Sequence, residues 1–192
     1  LTGVRLYHYN KQKYRDIAII TLLLGTGVRI SELVGLNLSD VDFKNNGIRI
    51  LRKGGNEMIV YFGSEVEAAL KDYLEISRNA ITPVAGHEEA LFLSGQRKRI
   101  SVDAVEKMVK KYASAVSVKT ITPHKLRSTY GTALYRETGD IYLVADVLGH
   151  ADVNTTKKHY PELSHARRRS ASKAVVLREK REEPGIESHS DQ

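Results

Sequence analysis

The sequence predicts a mainly α-helical domain with a small antiparallel β-sheet, an α+β fold, and three observations carry that expectation. Seven segments read as helices from their apolar spacing or their caps, and only three short β-prone runs stand between them. Two of those runs flank a glycine-containing loop, the signature of a hairpin. A chain of 192 residues that is 41% apolar and 28% charged also has enough to bury, since a domain of that size hides about 70% of the surface its unfolded chain exposes. One globular core follows, and disorder is excluded for most of the chain.

Residues 14–25 read as the first helix, because Asp16 leads into an apolar run at 17–24 that is long for a strand once its flanks are counted. The Gly25-Thr26-Gly27 turn ends it. A second helix carries Arg29, Ile30, Leu33 and Val34, with Thr26 as N-cap and Glu32 in its early turns. Residues 48–51 and 58–62 form the hairpin around Lys53-Gly54-Gly55-Asn56, entered through Asn45-Asn46-Gly47. Residues 64–79 follow as a helix: Ser64 caps it, Glu67 stands at capping-box spacing, and Val66, Leu70, Tyr73 and Leu74 make one apolar face. After a loop at 83–89 and a short strand at 90–93, Ser101 starts a basic amphipathic helix through Val102, Val105, Met108, Val109 and Tyr112. Helices at 122–138, at 140–148 and from 154 to about 160 come next. The domain spans residues 1–183, with a C-terminal helical segment at about 162–181, and a disordered tail at 184–192.

Thirty Lys and Arg face twenty-three Asp and Glu, a net charge of +7. Residues 1–93 hold eleven of each sign and residues 131–192 hold ten of each. The whole excess lies in residues 94–130, where nine basic side chains face only Asp103 and Glu106. A polyanionic partner is the natural expectation. With no cysteine, disulfides and Cys-ligated zinc or iron–sulfur sites are excluded, and the composition fits a reducing compartment. The apolar run at 17–24 is far short of the ~20 residues a bilayer span needs, so a cytoplasmic protein with no membrane partner is expected. The chain begins at Leu1 with no signal pattern, as expected for a fragment whose N-terminal portion has been removed.

The most informative stretch is Thr122-Pro123-His124-Lys125-Leu126-Arg127. Thr at N-cap and Pro at N1 fix a helix start just ahead of two functional side chains. A helical wheel puts His124 and Arg127 on one face with Ser128 and Gly131, opposite Leu126, Tyr130, Ala133 and Leu134. Cations in a first turn oppose the helix dipole, and a bound phosphate would compensate both them and the free N–H groups. An ordinary solvated basic face is the alternative. Arg29 enters a helix after a Gly-Thr-Gly turn, as a surface charge, a partner of Glu32 or an anion ligand. Lys53 sits at a hairpin tip and His150 follows a helix-ending Gly149. Tyr160 stands among Lys157, Lys158, His159 and Pro161, unlike a core tyrosine.

In their joint order these residues resemble the catalytic domain of tyrosine recombinases, the phage-integrase family of site-specific DNA recombinases. The matches are Thr26 to Leu33 around Arg29, Lys53-Gly54-Gly55-Asn56-Glu57 on the hairpin, His124-Lys125-Leu126-Arg127, Leu148-Gly149-His150-Ala151-Asp152, and Thr155-Thr156 leading to Tyr160. Two departures stand out. Many members place the tyrosine nine residues after the histidine, where this chain has His159, with Tyr160 tenth. The small DNA-clamping domain usually N-terminal to the catalytic one has no counterpart in these 192 residues, as expected for a fragment.

The resemblance implies the DNA breaking-rejoining catalytic fold and a chemistry without cofactor or metal. Tyr160 attacks the scissile phosphate to give a 3′-phosphotyrosyl link, Arg29 and Arg127 clamp the phosphate, Lys53 protonates the leaving 5′-oxygen, His124 assists proton transfer, and His150 hydrogen-bonds the phosphate. It also implies double-stranded recombination sites as partner, a homotetramer on DNA from a monomer in its absence, and a nucleoid-associated location. Arg97, Lys98, Arg99 and Lys125 are the expected DNA contacts. Residues 162–181 either pack on a neighbouring protomer or expose Arg167, Arg168 and Arg169 to DNA. A phage or mobile element is the expected setting, with Xer-like dimer resolution and type IB topoisomerase-like relaxation as alternatives of the same chemistry. A non-catalytic DNA-binding regulator, and a metal hydrolase using His124, His150, His159 and His165, are alternatives of other classes.

Overall fold

The computed structural model describes residues 3–52, 55–116, 121–149 and 165–177. Helix α1 (Gly3–Thr26) buries Ala18, Ile19, Leu22 and Leu23 and starts well before its apolar run, because residues 4–13 hold neither Gly nor Pro to stop it. Thr26 closes α1 and does not cap the next helix: its hydroxyl donates back to the Leu22 carbonyl at 2.6 Å. Helix α2 (Ile30–Gly35) takes Arg29 as N-cap instead, with the Glu32 carboxylate accepting the Arg29 N–H at 2.8 Å.

The sheet has three antiparallel strands in the order β1 (Val41–Asp42), β2 (Gly47–Leu51), β3 (Glu57–Tyr61), with Ile48 opposite Val60 and Ile50 opposite Met58. The hairpin lies where the sequence predicts it. Strand β1 is too short to leave a pattern. In β2, Ile48 and Ile50 turn inward while Arg49 and Leu51 face solvent.

Helix α3 (Ser64–Asp72) is capped by Gly63, not Ser64, and widens into a π turn at Tyr73–Ser77 before a 3-10 turn at Arg78–Ala80. The expected strand at 90–93 is not a strand. Isolated bridges join Asn37 to Ala90 and Leu93 to Arg99, and side chains satisfy much of the intervening backbone. The Tyr73 hydroxyl donates to Leu91 O at 3.1 Å and accepts from Leu93 N, while the buried Arg78 guanidinium donates to Ala90 O and Glu88 O.

Helix α4 (Val102–Val116) buries Val105, Met108 and Val109. Helix α5 (Pro123–Thr138) begins as predicted, with the Thr122 hydroxyl accepting the Lys125 N–H at 3.2 Å. Helix α6 (Ile141–Leu148) is capped by Asp140, whose carboxylate accepts from Tyr142 N and Leu143 N, and ends at the left-handed Gly149.

Helix α7 (His165–Ala174) packs on its own chain, against α5, α6 and β3. Arg167 pairs with Asp140, Arg168 grips Asp146 with two bonds at 2.6 and 3.0 Å, and the Arg169 guanidinium lies 5.0 Å over the Tyr61 ring. Within residues 165–177, therefore, all three arginines are engaged by groups of their own chain. The expected helix at 154–160 lies outside the described residues.

Two apolar clusters result. The larger joins α1, the sheet, α3 and α4; the smaller joins Tyr130 and Leu134 of α5, Leu143, Val144, Val147 and Leu148 of α6, and Ala171 of α7. Among the described residues no helix is long and apolar enough to cross a membrane.

Candidate active site

The turn between α1 and α2 presses onto the smaller cluster, and Gly27 makes the approach possible. It is left-handed at φ +64°, and a Cβ there would fall 2.6 Å from Tyr130 Cδ1 and 2.7 Å from Leu148 Cδ2. The backbone carbonyl of Gly27 is thereby brought to the first turn of α5, where Arg127 waits.

Arg127 is 6% exposed and donates to the carbonyls of Gly27 and Leu148. The wheel reading is corrected here. The buried face of α5 runs Arg127, Tyr130, Gly131, Leu134, and only His124 and Ser128 of the expected polar face are exposed. A guanidinium can enter an apolar face because the end of α6 offers carbonyls that no helical bond claims. Arg29, 41% exposed, reaches the same ledge: its Nη2 donates to Gly149 O at 3.0 Å while its Nη1 pairs with Glu32 Oε1 at 3.0 Å.

A third guanidinium, absent from the sequence reading, completes the bay. Arg52 follows β2 and donates through Nη2 to Val147 O at 3.1 Å. Three arginines from three parts of the chain thus bind three successive carbonyls, Val147, Leu148 and Gly149. A signal for Arg52 did exist: the alternation of β2, Ile48 and Ile50 in, Arg49 and Leu51 out, assigns Arg52 to the inward side. Glu32 is the carboxylate among them, 3.7 Å from Arg52 Nε.

Burial shapes the electrostatics first, and crowding of like charges adds to it. Burial, and then the neighbouring Arg29 and Arg52, pull Arg127 down from its ordinary value to about 10, with Glu32 opposing. Burial likewise lowers Arg52, opposed first by Glu32. Both arginines stay charged at neutral pH, in a place that favours an incoming anion.

His124 and Lys125 are exposed on the first turn of α5, one turn from Arg127. Lys53, His150 and Tyr160 lie outside the described residues; their chain neighbours Arg52 and Gly149 belong to the bay. Of the expected DNA contacts, Arg97 and Lys98 are exposed on a tight turn. Arg99 is a correction: it is turned inward, donating to Val34 O at 3.1 Å, Leu36 O at 2.7 Å and Asn37 Oδ1 at 2.5 Å, so it fastens the loop after α2.

The sequence pattern of the phage integrase family matches residues 4–167. The chain belongs to the phage integrase family. Among the family's curated proteins, it is 36% identical over 155 residues to tyrosine recombinase XerC of Roseiflexus castenholzii, covering 80% of this chain and 49% of that one. It is 44% identical over 154 residues to tyrosine recombinase XerS of Streptococcus agalactiae, covering 79% and 43%. The chain thus spans about half the length of these relatives. Its fold matches the crystal structure of XerA recombinase with a TM-score of 0.68 at 33% identity, over 88% of this chain and 62% of that one. It also matches XerH site-specific recombinase bound to difH substrate in a pre-cleavage complex, with a TM-score of 0.66 at 27% identity, over 84% and 47%.

Proposed function

We propose that this chain carries the catalytic centre of a tyrosine-type site-specific DNA recombinase. The observation that carries the reading is the seating of Arg29 and Arg127 on adjacent carbonyls, Gly149 and Leu148, beside the exposed start of α5. Two guanidinium forks held this way meet a tetrahedral phosphate from two sides and stabilise the charge that builds on its non-bridging oxygens.

In the proposed reaction the Tyr160 phenol gives up its proton, assisted by His124, and its oxygen bonds to the scissile phosphorus. The bond from phosphorus to the 5′-oxygen breaks, and Lys53 supplies the proton that oxygen takes. His150 hydrogen-bonds the phosphate. One ester replaces another of similar energy, so a free 5′-hydroxyl from a partner strand reverses the step without a nucleotide cofactor. Double-stranded recombination sites are the substrate, a tetramer on DNA is the working assembly, Lys125, Arg97 and Lys98 are candidate contacts to the duplex, and the cytoplasmic nucleoid is the proposed setting.

The test is capture of the adduct. The chain is incubated with a pool of nicked duplexes of randomised sequence, denatured in detergent, and the DNA that stays covalently attached is sequenced. A 3′-phosphotyrosyl link at Tyr160, lost in Tyr160→Phe, is the expected result; no adduct, or one that survives Tyr160→Phe, overturns it. The enriched sequence also separates a mobile-element end from a chromosomal site.

A further inference from the structure

Arg52 occupies the bay with no task in the chemistry just described. Its side chain is 15% exposed, and its guanidinium fills the space over Gly149, where a Cβ would fall 1.4 Å from Nη1. Its Nε is the buried side-chain polar atom among the described residues that lacks a hydrogen-bond partner, and it stands 3.7 Å from Glu32 Oε1. That same oxygen accepts Arg29 Nη1 at 3.0 Å. One carboxylate, 5% exposed, therefore has two guanidiniums: a near one that is 41% exposed and a farther, mostly covered one with a donor to spare.

The arrangement matters when a phosphate arrives. If Arg29 turned its fork to the phosphate and nothing replaced it, Glu32 would keep only the Arg29 backbone N–H at 2.8 Å and the 3.7 Å approach of Arg52, a poorly compensated buried anion facing another anion and a costly state. We infer that Arg52 is a positioning residue that takes over Glu32 as Arg29 turns to the scissile phosphate, its Nε closing from 3.7 Å to hydrogen-bond distance. The exchange holds Glu32 neutralised throughout and frees the Arg29 fork. It also sets the charge of the bay. Arg29, Arg52 and Arg127 outnumber Glu32 around the bay, a surplus of positive charge facing the two negative charges of the five-coordinate phosphorus formed when a phenolate adds to a phosphodiester anion; without Arg52 that surplus falls by one.

This role rests on the recombinase reading. The test uses the 192-residue chain and the nicked duplex most enriched in the adduct capture. Arg52→Met and Arg52→Lys are each made alone and with Glu32→Gln, and compared for adduct rate at saturating DNA, duplex Kd and Tm. Arg52→Met slows the saturated rate roughly 10- to 100-fold with Kd changed by less than about threefold, and Arg52→Lys recovers most of the loss. With Glu32→Gln present, Arg52→Met costs less than about threefold, because the carboxylate it serves is gone. An equal loss in both backgrounds, or a loss in Kd equal to the loss in rate, overturns the handover.

A second measurement does not depend on the stability of Arg52→Met. In the Tyr160→Phe protein, the Arg52 Nε–H resonance shifts downfield and exchanges more slowly with water when the same duplex is added; an unchanged resonance overturns the handover. If the unsubstituted chain forms no adduct with any duplex of the pool, the recombinase reading itself fails. If it does and Arg52→Met is as fast, only the handover fails.

Discussion

Gly27→Ala tests whether the turn between α1 and α2 seats Arg127. The left-handed backbone at φ +64° costs an alanine about 1–2 kcal/mol. The new Cβ meets Tyr130 Cδ1 at 2.6 Å and Leu148 Cδ2 at 2.7 Å, and forcing a methyl into packed side chains adds about 1–3 kcal/mol. Together these give about 2–5 kcal/mol, and at about 2–4 °C per kcal/mol for a domain of this size Tm falls by roughly 4–20 °C. Gly139→Ala is the control: it has the same φ of +64° and no neighbour within 4 Å, so it pays the backbone cost alone. The difference between the two variants in urea denaturation isolates the steric part, and adduct formation should fall in Gly27→Ala, since the carbonyl that shifts is one that Arg127 holds. Equal destabilisation by the two substitutions would refute the close approach of the turn to α5 and α6.

Further predictions address single side chains. Arg127→Lys should cleave a nicked duplex at least tenfold more slowly while binding it as before, because an ammonium cannot span the Gly27 and Leu148 carbonyls and a phosphate at once; an unchanged rate would sink the assignment. Held at about 10, below its ordinary value, Arg127 loses its charge as pH rises through 10. The adduct rate at subsaturating DNA should therefore be flat, as far as Arg127 governs it, up to about pH 9 and fall above 10, and an alkaline limb missing up to pH 10.5 would contradict this. Burial pushes the Tyr130 hydroxyl up to about 12, so Tyr130→Phe should retain adduct formation within about threefold, which gel analysis of the trapped complex reads directly. Replacing Arg97 and Lys98 by Ala should flatten the salt dependence of DNA binding by up to about two in slope, whereas Arg99→Ala should leave the slope alone and lower Tm.

Local chemistry was legible in the sequence. Thr122 with Pro123, and Gly149, each act within a few residues of themselves, and the caps they form are those expected. The hairpin around Lys53 and the motif order from Arg29 through Arg127 were readable for the same reason. Most of what failed depended on partners distant in the chain: residues 90–93 read as a strand until Tyr73 and Arg78 supply the hydrogen bonds a neighbouring strand would have made. Thr26 and Ser64 failed locally, since α1 claims the Thr26 hydroxyl through Leu22 O and α3 starts from Gly63, one residue before Ser64. Arg127 and Arg99 look like surface cations because nothing within their own segments reveals the carbonyls that receive them. The charge excess at 94–130 was accordingly overcounted as a binding surface: Arg99 and Arg127 face inward, and Lys107 is paired with Asp103 at 2.8 Å.

The division of the interior into two apolar clusters has a consequence for cooperativity. Arg29 and Arg52 extend from the elements of the larger cluster, Arg127 and the carbonyls of Val147, Leu148 and Gly149 from those of the smaller. Helix α5 touches both, with Leu126 packed on the larger cluster and Tyr130 and Leu134 in the smaller, while α6, eight residues held between α5 and α7, is the part with less to lose by opening. A phosphate gripped by Arg29 and Arg127 is then a cross-link between the two clusters. Its binding energy should be read as slowed amide exchange along α6, far from any base it touches, with the DNA backbone acting as a structural element that ties the two clusters together.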